Sequence, residues 1–118
     1  MGAKVYDLEE RTARFGESII QFCKTLDKNE INRELVRQLL KAGTSVGANY
    51  NEADGSLTKR DFKHKISISR KESKESAYWL RMISKANPDR SSECDEYRQE
   101  ARELTLIFSS IPEQKMRH

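Results

Sequence analysis

Apolar residues recur at steps of three and four over nearly the whole chain. Leu8, Thr12, Phe15, Ile19, Phe22 and Leu26 form the first run, the spacing of a helix that buries one narrow face in a bundle. It predicts a helix over about 7–27, opened by Asp7 and Glu10 as a capping box and closed by the polar stretch Asp27–Asn29. A second run, Val36, Leu39, Gly43, Val46, Tyr50 and Ala53, predicts a helix over 32–54 with Asn32 as its cap. Its middle is small: Ala42, Gly43, Gly47 and Ala48. A glycine inside a helix costs up to about 1 kcal/mol relative to alanine. Two of them one turn apart therefore point to the close approach of a neighbouring backbone or a bulky side chain.

Asp54-Gly55 makes the next turn, and Thr58 with Asp61 caps a third helix over 58–86. Its seam, Phe62, Ile66, Ser69, Ser73, Ser76, Leu80 and Ile83, carries serines in the middle, small enough to face the aromatics of the first helix. Asn87-Pro88 stops it. The fourth helix, 91–111, presents Cys94, Tyr97, Ala101, Leu104, Phe108 and Ile111 and is expected to end at Pro112. No segment alternates as a strand would. Four helices joined by short loops predict an all-α fold, an antiparallel up-down-up-down four-helix bundle in a single domain over residues 1–118.

Composition changes this picture little. Of 118 residues, 35% are Asp, Glu, Lys or Arg and only seven are Gly or Pro, as expected for helices with charged outer faces. No run of about 18 apolar residues is present, and the start lacks both a secretory signal and a myristoylation pattern, so a cytoplasmic protein with no membrane association is expected. Cys23 and Cys94 stand alone, without a metal-ligand spacing to each other or to His64 and His118. They read as small buried hydrophobes, and no cofactor or metal is expected.

The distribution of charge is more informative than the net value of +3. Projected at 100° per residue, Lys59, Lys63, Arg70 and Lys74 fall in one outward stripe of the third helix, with Arg60 and Lys71 beside it. Between residues 59 and 74 there are seven Lys or Arg against Asp61 and Glu72. Arg33, Arg37 and Lys41 make a shorter stripe on the second helix. The fourth helix is acidic, with Glu93, Asp95, Glu96, Glu100 and Glu103 against Arg98 and Arg102. A basic stripe at helical spacing is suited to phosphates, although ordinary solvated lysines have the same pattern. On the same helix Tyr78 and Met82 point away from the seam and Trp79 lies on its flank. Large apolar groups in such places mark a contact with another chain, here a homo-oligomer interface, unless Trp79 simply widens the core.

Catalytic patterns find little support. The pairs Glu93-x-x-Glu96 and Glu100-x-x-Glu103 lie on one helix, whereas the magnesium sites of helical pyrophosphohydrolases draw carboxylates from two. Arg60 and His64 are too close in sequence for the Arg and His pair of helical ribonucleases. No phosphate loop, nucleophile elbow or Ser/His/Asp set is discernible, and the chain is not expected to be an enzyme.

Two segments together resemble a known family. One is Ser45-Val46-Gly47-Ala48-Asn49-Tyr50-Asn51-Glu52-Ala53. The other is Asp61-Phe62, then Lys71-Glu72-Ser73-Lys74-Glu75-Ser76-Ala77-Tyr78-Trp79-Leu80. They resemble the 23S rRNA-intervening-sequence proteins, whose pattern is Ser-x-Gly-x-Asn-Ile-x-Glu, then Phe, then Glu-x-x-x-Trp-Leu. Tyr50 stands where isoleucine is usual, and Ala53 where many members have glycine. The resemblance implies a left-handed bundle that assembles into a homopentameric ring and is associated with RNA or the ribosome. Related accessory proteins of diversity-generating retroelements share the ring and bind nucleic acid beside a reverse transcriptase. It also marks Asn49, Glu52 and Glu75 as signature polar residues and Trp79 as the signature aromatic. These polars are expected to form a hydrogen-bond network with Arg37 or Arg70, between helices or subunits. The leading expectation is thus a ring-forming RNA-binding or ribosome-associated protein. An adaptor for a protein partner such as a reverse transcriptase comes second, and a metal-dependent hydrolase using Glu100 or Glu103 third.

Overall fold

The steps of three and four become four helices, and in each the face read from the sequence is the buried one. The computed structural model describes residues 7–116, with side chains up to Ile111. Helix α1 is Leu8–Lys24, α2 Glu30–Asp54, α3 Lys59–Ala86 and α4 Ser91–Met116, with a short 3-10 turn at Pro88–Arg90 before α4. No strand occurs among the described residues. At 1.5 Å per residue, α3 runs most of the length of a molecule 49 Å long and 18 Å thick. None of the described helices is long and apolar enough to cross a membrane.

Pairings between the helices fix their directions. Thr12 of α1 lies against Gly47 of α2, and Ile19 against Gly43. Glu52 of α2 pairs with Lys65 of α3, and Val46 with Ser69. Rising numbers on one helix meet falling numbers on the next, so α1, α2 and α3 are successively antiparallel. The glycines of α2 make the first of these contacts possible. A Cβ on Gly43 would stand 3.2 Å from Cγ2 of Ile19, and one on Gly47 3.1 Å from the Thr12 hydroxyl. Gly16 completes the crossing, since a Cβ there would lie 3.6 Å from the Gly43 carbonyl. One of the serines of α3, Ser69, serves its packing on α2. Buried Ser69 donates to the Val46 carbonyl at 2.9 Å, while Ser73 and Ser76 satisfy their hydroxyls on Ser69 and Glu72 of their own helix.

Helix ends depart from the sequence reading in four places. Asp7 precedes α1 but makes no side-chain cap bond: its backbone (φ −89°, ψ 55°) is outside the extended region that a cap requires, and Glu10 pairs with Arg14 instead. Helix α1 stops at Lys24, where the Thr25 hydroxyl takes the Phe22 carbonyl at 2.7 Å. Asn29, not Asn32, caps α2, accepting from the Asn32 amide at 2.8 Å. Finally, α4 continues through Pro112 to Met116. Proline's fixed φ is helical, and although it removes one amide donor and crowds the carbonyl one turn back, a helix can continue past it. Thr58 caps α3 as expected, accepting from the Asp61 amide.

Cys23 and Cys94 are buried free thiols. Burial pushes both up to about 11, so neither is a thiolate near neutral pH. At the same end of the molecule, Asn32 turns inward and meets Asn87, just beyond α3. Each amide nitrogen donates to the other's oxygen, at 3.0 and 2.9 Å. Their second N–H groups bond the carbonyls of Asp27 and Ile83, both at 2.9 Å. Four hydrogen bonds thus tie the α1–α2 loop, the start of α2 and the end of α3 into one buried knot.

Removing one partner strands the other's donor and acceptor, at a cost of about 1–3 kcal/mol. Asn32→Ala and Asn87→Ala should each destabilise by that amount in urea unfolding. The double variant should lose clearly less than the sum of the two, and strictly additive losses would show that the pair does not act as a unit.

Candidate nucleic-acid interface

The outward stripe of α3 is exposed along its whole length. Lys59, Arg60, Lys63, Arg70, Lys71 and Lys74 are all open to solvent, and none enters an ion pair among the described residues. Elsewhere most of the described arginines are engaged, Arg11 with Glu100 and Glu103, Arg14 with Glu10, Arg37 with Glu34, Arg90 with Glu93 and Arg98 with Asp95. Lys65 pairs with Glu52, while scattered cations such as Lys24, Arg81 and Arg102 make no ion pair among the described residues. The α2 stripe does not extend this surface. Arg33, Arg37 and Lys41 are exposed, but Arg37 is turned to Glu34 at 2.7 Å, and Lys41 acts on Glu72, on the flank of α3 that faces α2. The opposite flank of α3 faces α4, and there Arg70, Lys71 and Lys74 edge a groove of about 610 Å³.

That groove is walled by Ser67, Glu75 and Tyr78 of α3 and by Thr105 and Ser109 of α4. Tyr78 is 53% exposed, its ring set edge-on to Trp79 with centroids 5.0 Å apart. The predicted oligomer patch is divided by the structure. Trp79 packs against the core and Met82 is half-buried, so Tyr78 alone of the three is exposed. Trp79 lies far enough round the helix to widen the buried face, which is why it leaves the outer patch.

The signature polar residues do not meet in the protomer. Asn49 donates to the Ser45 carbonyl at 2.9 Å, Glu52 pairs with Lys65 across the α2–α3 boundary, and Glu75 stands at the groove. None bonds Arg37 or Arg70 among the described residues. The spacing along each helix gave no information on which cation lies opposite, and Lys65, one residue before Ile66 on the seam, is the one that reaches Glu52. The acidic helix α4 also has partners that the sequence did not disclose. Arg11 of α1 grips Glu100 with both arms of its guanidinium, at 2.7 and 2.8 Å, and reaches Glu103 at 2.8 Å. These bonds raise the arginine pKa, and Gln99 with Arg11 lowers that of Glu103. The carboxylates that a hydrolytic metal would need are thus already neutralised. Among the described residues, no group of three or more His, Cys, Asp or Glu is placed to hold a metal ion. Thr105 and Ser109 were also missed. Their only sequence signal is an i,i+4 hydroxyl pair on the outer side of α4.

The family model of the 23S rRNA-intervening sequence protein matches residues 5–110. Among solved structures, the chain is similar to a protein of unknown function from the S23 ribosomal protein family of Bacteroides thetaiotaomicron. The two are 25% identical, with a TM-score of 0.81 over 93% of this chain and 98% of the other. No curated protein matches the sequence.

One charge on α3 works against the fold. Burial, then the neighbouring Glu75, pushes the Glu72 carboxyl up, more than Lys71 and Lys41 pull it down. A carboxyl whose pKa is higher folded than unfolded binds its proton more tightly in the folded state. Its ionisation costs stability as pH rises from the unfolded value to the folded one, and that cost persists above. Glu72→Gln should therefore raise the Tm at pH 7. The gain should vanish well below the ordinary glutamate pKa of about 4.3. Thermal melts at the two pH values check this, and an equal shift at both would show that charge is not the cause.

Proposed function

We propose that this chain, which belongs to the 23S rRNA-intervening sequence protein family, binds RNA through the outer stripe of α3. The observation that carries the reading is that six neighbouring cations make no ion pair among the described residues, while most of the arginines outside the stripe are paired within the bundle. A polyanion is the chemistry that such a stripe lacks. Phosphates one or two helical turns apart on Lys59, Lys63, Arg70 and Lys74 would release counterions on binding, which gives affinity without sequence readout. The proposal includes assembly into a homopentameric ring. A ring would repeat the stripe around its circumference, so that one RNA could engage several copies with the gain that multivalency brings.

A second reading is an adaptor for a protein partner, and it has its own observation. Leu57 is 98% exposed in the α2–α3 turn and Leu106 70% exposed on α4, apolar side chains that a protein surface would cover. The hydrolase reading is not carried, since Arg11 holds both Glu100 and Glu103.

Fluorescence anisotropy against a structured 23S rRNA fragment, in a salt series, tests the proposal. Lys63→Glu with Arg70→Glu should weaken binding at least tenfold at low salt and lower the slope of log K against log salt by about two, with the Tm and the native mass unchanged. Unchanged affinity would remove the stripe from the function. Capture of a protein partner that survives nuclease treatment, by a chain that binds no RNA, would favour the adaptor.

A further inference from the structure

The α3–α4 groove differs from the rest of the stripe because an aromatic ring stands among its cations. From this we infer that the groove takes a single-stranded RNA segment, with one unpaired base stacked on Tyr78 and the adjoining phosphates on Arg70 and Lys74. The inference rests on the RNA-binding reading and goes beyond it, by specifying strandedness and a base contact.

Four features of the groove lead there. Tyr78 is 53% exposed although aromatic, and Trp79, itself packed on the core, holds its ring by an edge contact at 5.0 Å. An edge contact restricts the ring without covering both of its faces, so stacking on it loses less conformational freedom than on an unsupported side chain. Arg70 and Tyr78 are eight residues apart on one helix, about 12 Å at 1.5 Å per residue, which suits a few nucleotides of one strand. In a duplex the bases stack on each other and offer this ring no partner, whereas an unpaired base has a free face. The groove is also a poor fit to an apolar protein segment, since three cations, the Glu75 carboxylate and three hydroxyls surround a single aromatic, and the cations outnumber the one acid.

The hydroxyls add a preference for ribose. Ser67 donates its proton to the His64 carbonyl at 2.6 Å, Thr105 to Ala101 at 2.8 Å and Ser109 to Thr105 at 2.9 Å. With their protons committed, the three oxygens remain as acceptors. The ribose 2′-hydroxyl supplies a donor that deoxyribose lacks.

The test measures anisotropy of labelled oligouridine, its deoxy counterpart and a fully paired RNA duplex of equal length, with native mass and Tm recorded for each variant. Tyr78→Ala should weaken single-strand binding by roughly 5- to 100-fold, leaving duplex affinity and the salt slope as they were. Tyr78→Phe should bind like the wild type, and the deoxy strand should bind more weakly than oligouridine. If Tyr78→Ala binds oligouridine as well as the wild type while Arg70→Glu with Lys74→Glu abolishes binding, the stacking assignment is wrong and the phosphate stripe stands. If neither change matters, or the wild type binds no RNA at low salt, both readings fall. A Tyr78→Ala protein whose native mass changes would place Tyr78 in a subunit contact and overturn the inference. Equal affinity for the deoxy strand would overturn the ribose assignment.

Discussion

The hydroxyl of Ser69, buried against α2 and donating to the Val46 carbonyl, shows how tightly α3 is held. A hydroxyl facing a neighbouring helix needs a carbonyl within reach, and a seam of serines lets the backbones come close enough to supply one. The same economy of size acts between α1 and α2, where Gly43 and Gly47 leave no spare room beside Ile19 and Thr12. Small groups occupy the middle of the inner face of α3, between Ile66 and Leu80, and its charged side chains lie on the outer half. The basic stripe and Tyr78 are therefore the outer side of a helix whose inner side is specialised for close packing.

Charge is divided between the two sides of the bundle in the same way. On the α1–α4 side, Arg11 binds Glu100 and Glu103 in a charge-assisted fork. Being largely solvent-accessible, these pairs stabilise modestly, but they neutralise the carboxylates where they stand. On the α3 side the stripe makes no ion pair among the described residues, although Glu72 and Glu75 stand beside Lys71 and Lys74. A composition close to charge balance thus becomes a molecule with one side satisfied and the other open to an external anion.

The seams were legible in the sequence because period alone identifies a buried helical face. Each residue of the four predicted runs is buried or half-buried. The ends were less legible. Asn29 and Asn32 are equally good cap residues by type, and what separates them is the position of Asn87, far away in sequence. Pro112 has a stop signal's chemistry, yet a missing amide hydrogen is tolerated. The stripe of α3 could be read from one helix, whereas the groove could not, because it needs Thr105 and Ser109 of a second helix in register with Arg70 and Tyr78. The expected network of Asn49, Glu52 and Glu75 failed in the protomer for the same reason. Pairing across helices depends on rotation and offset, which no single-helix pattern contains.

The reciprocal amides of Asn32 and Asn87 have a consequence for how this sequence can drift. Each carboxamide presents a donor and an acceptor to the other, and glutamine, which carries the same group, sets it one methylene further from the backbone. A change at either position passes through an intermediate with stranded polar groups, so the two codons, 55 positions apart, are bound to a common history. Among relatives of this chain they should be retained as a pair or lost as a pair.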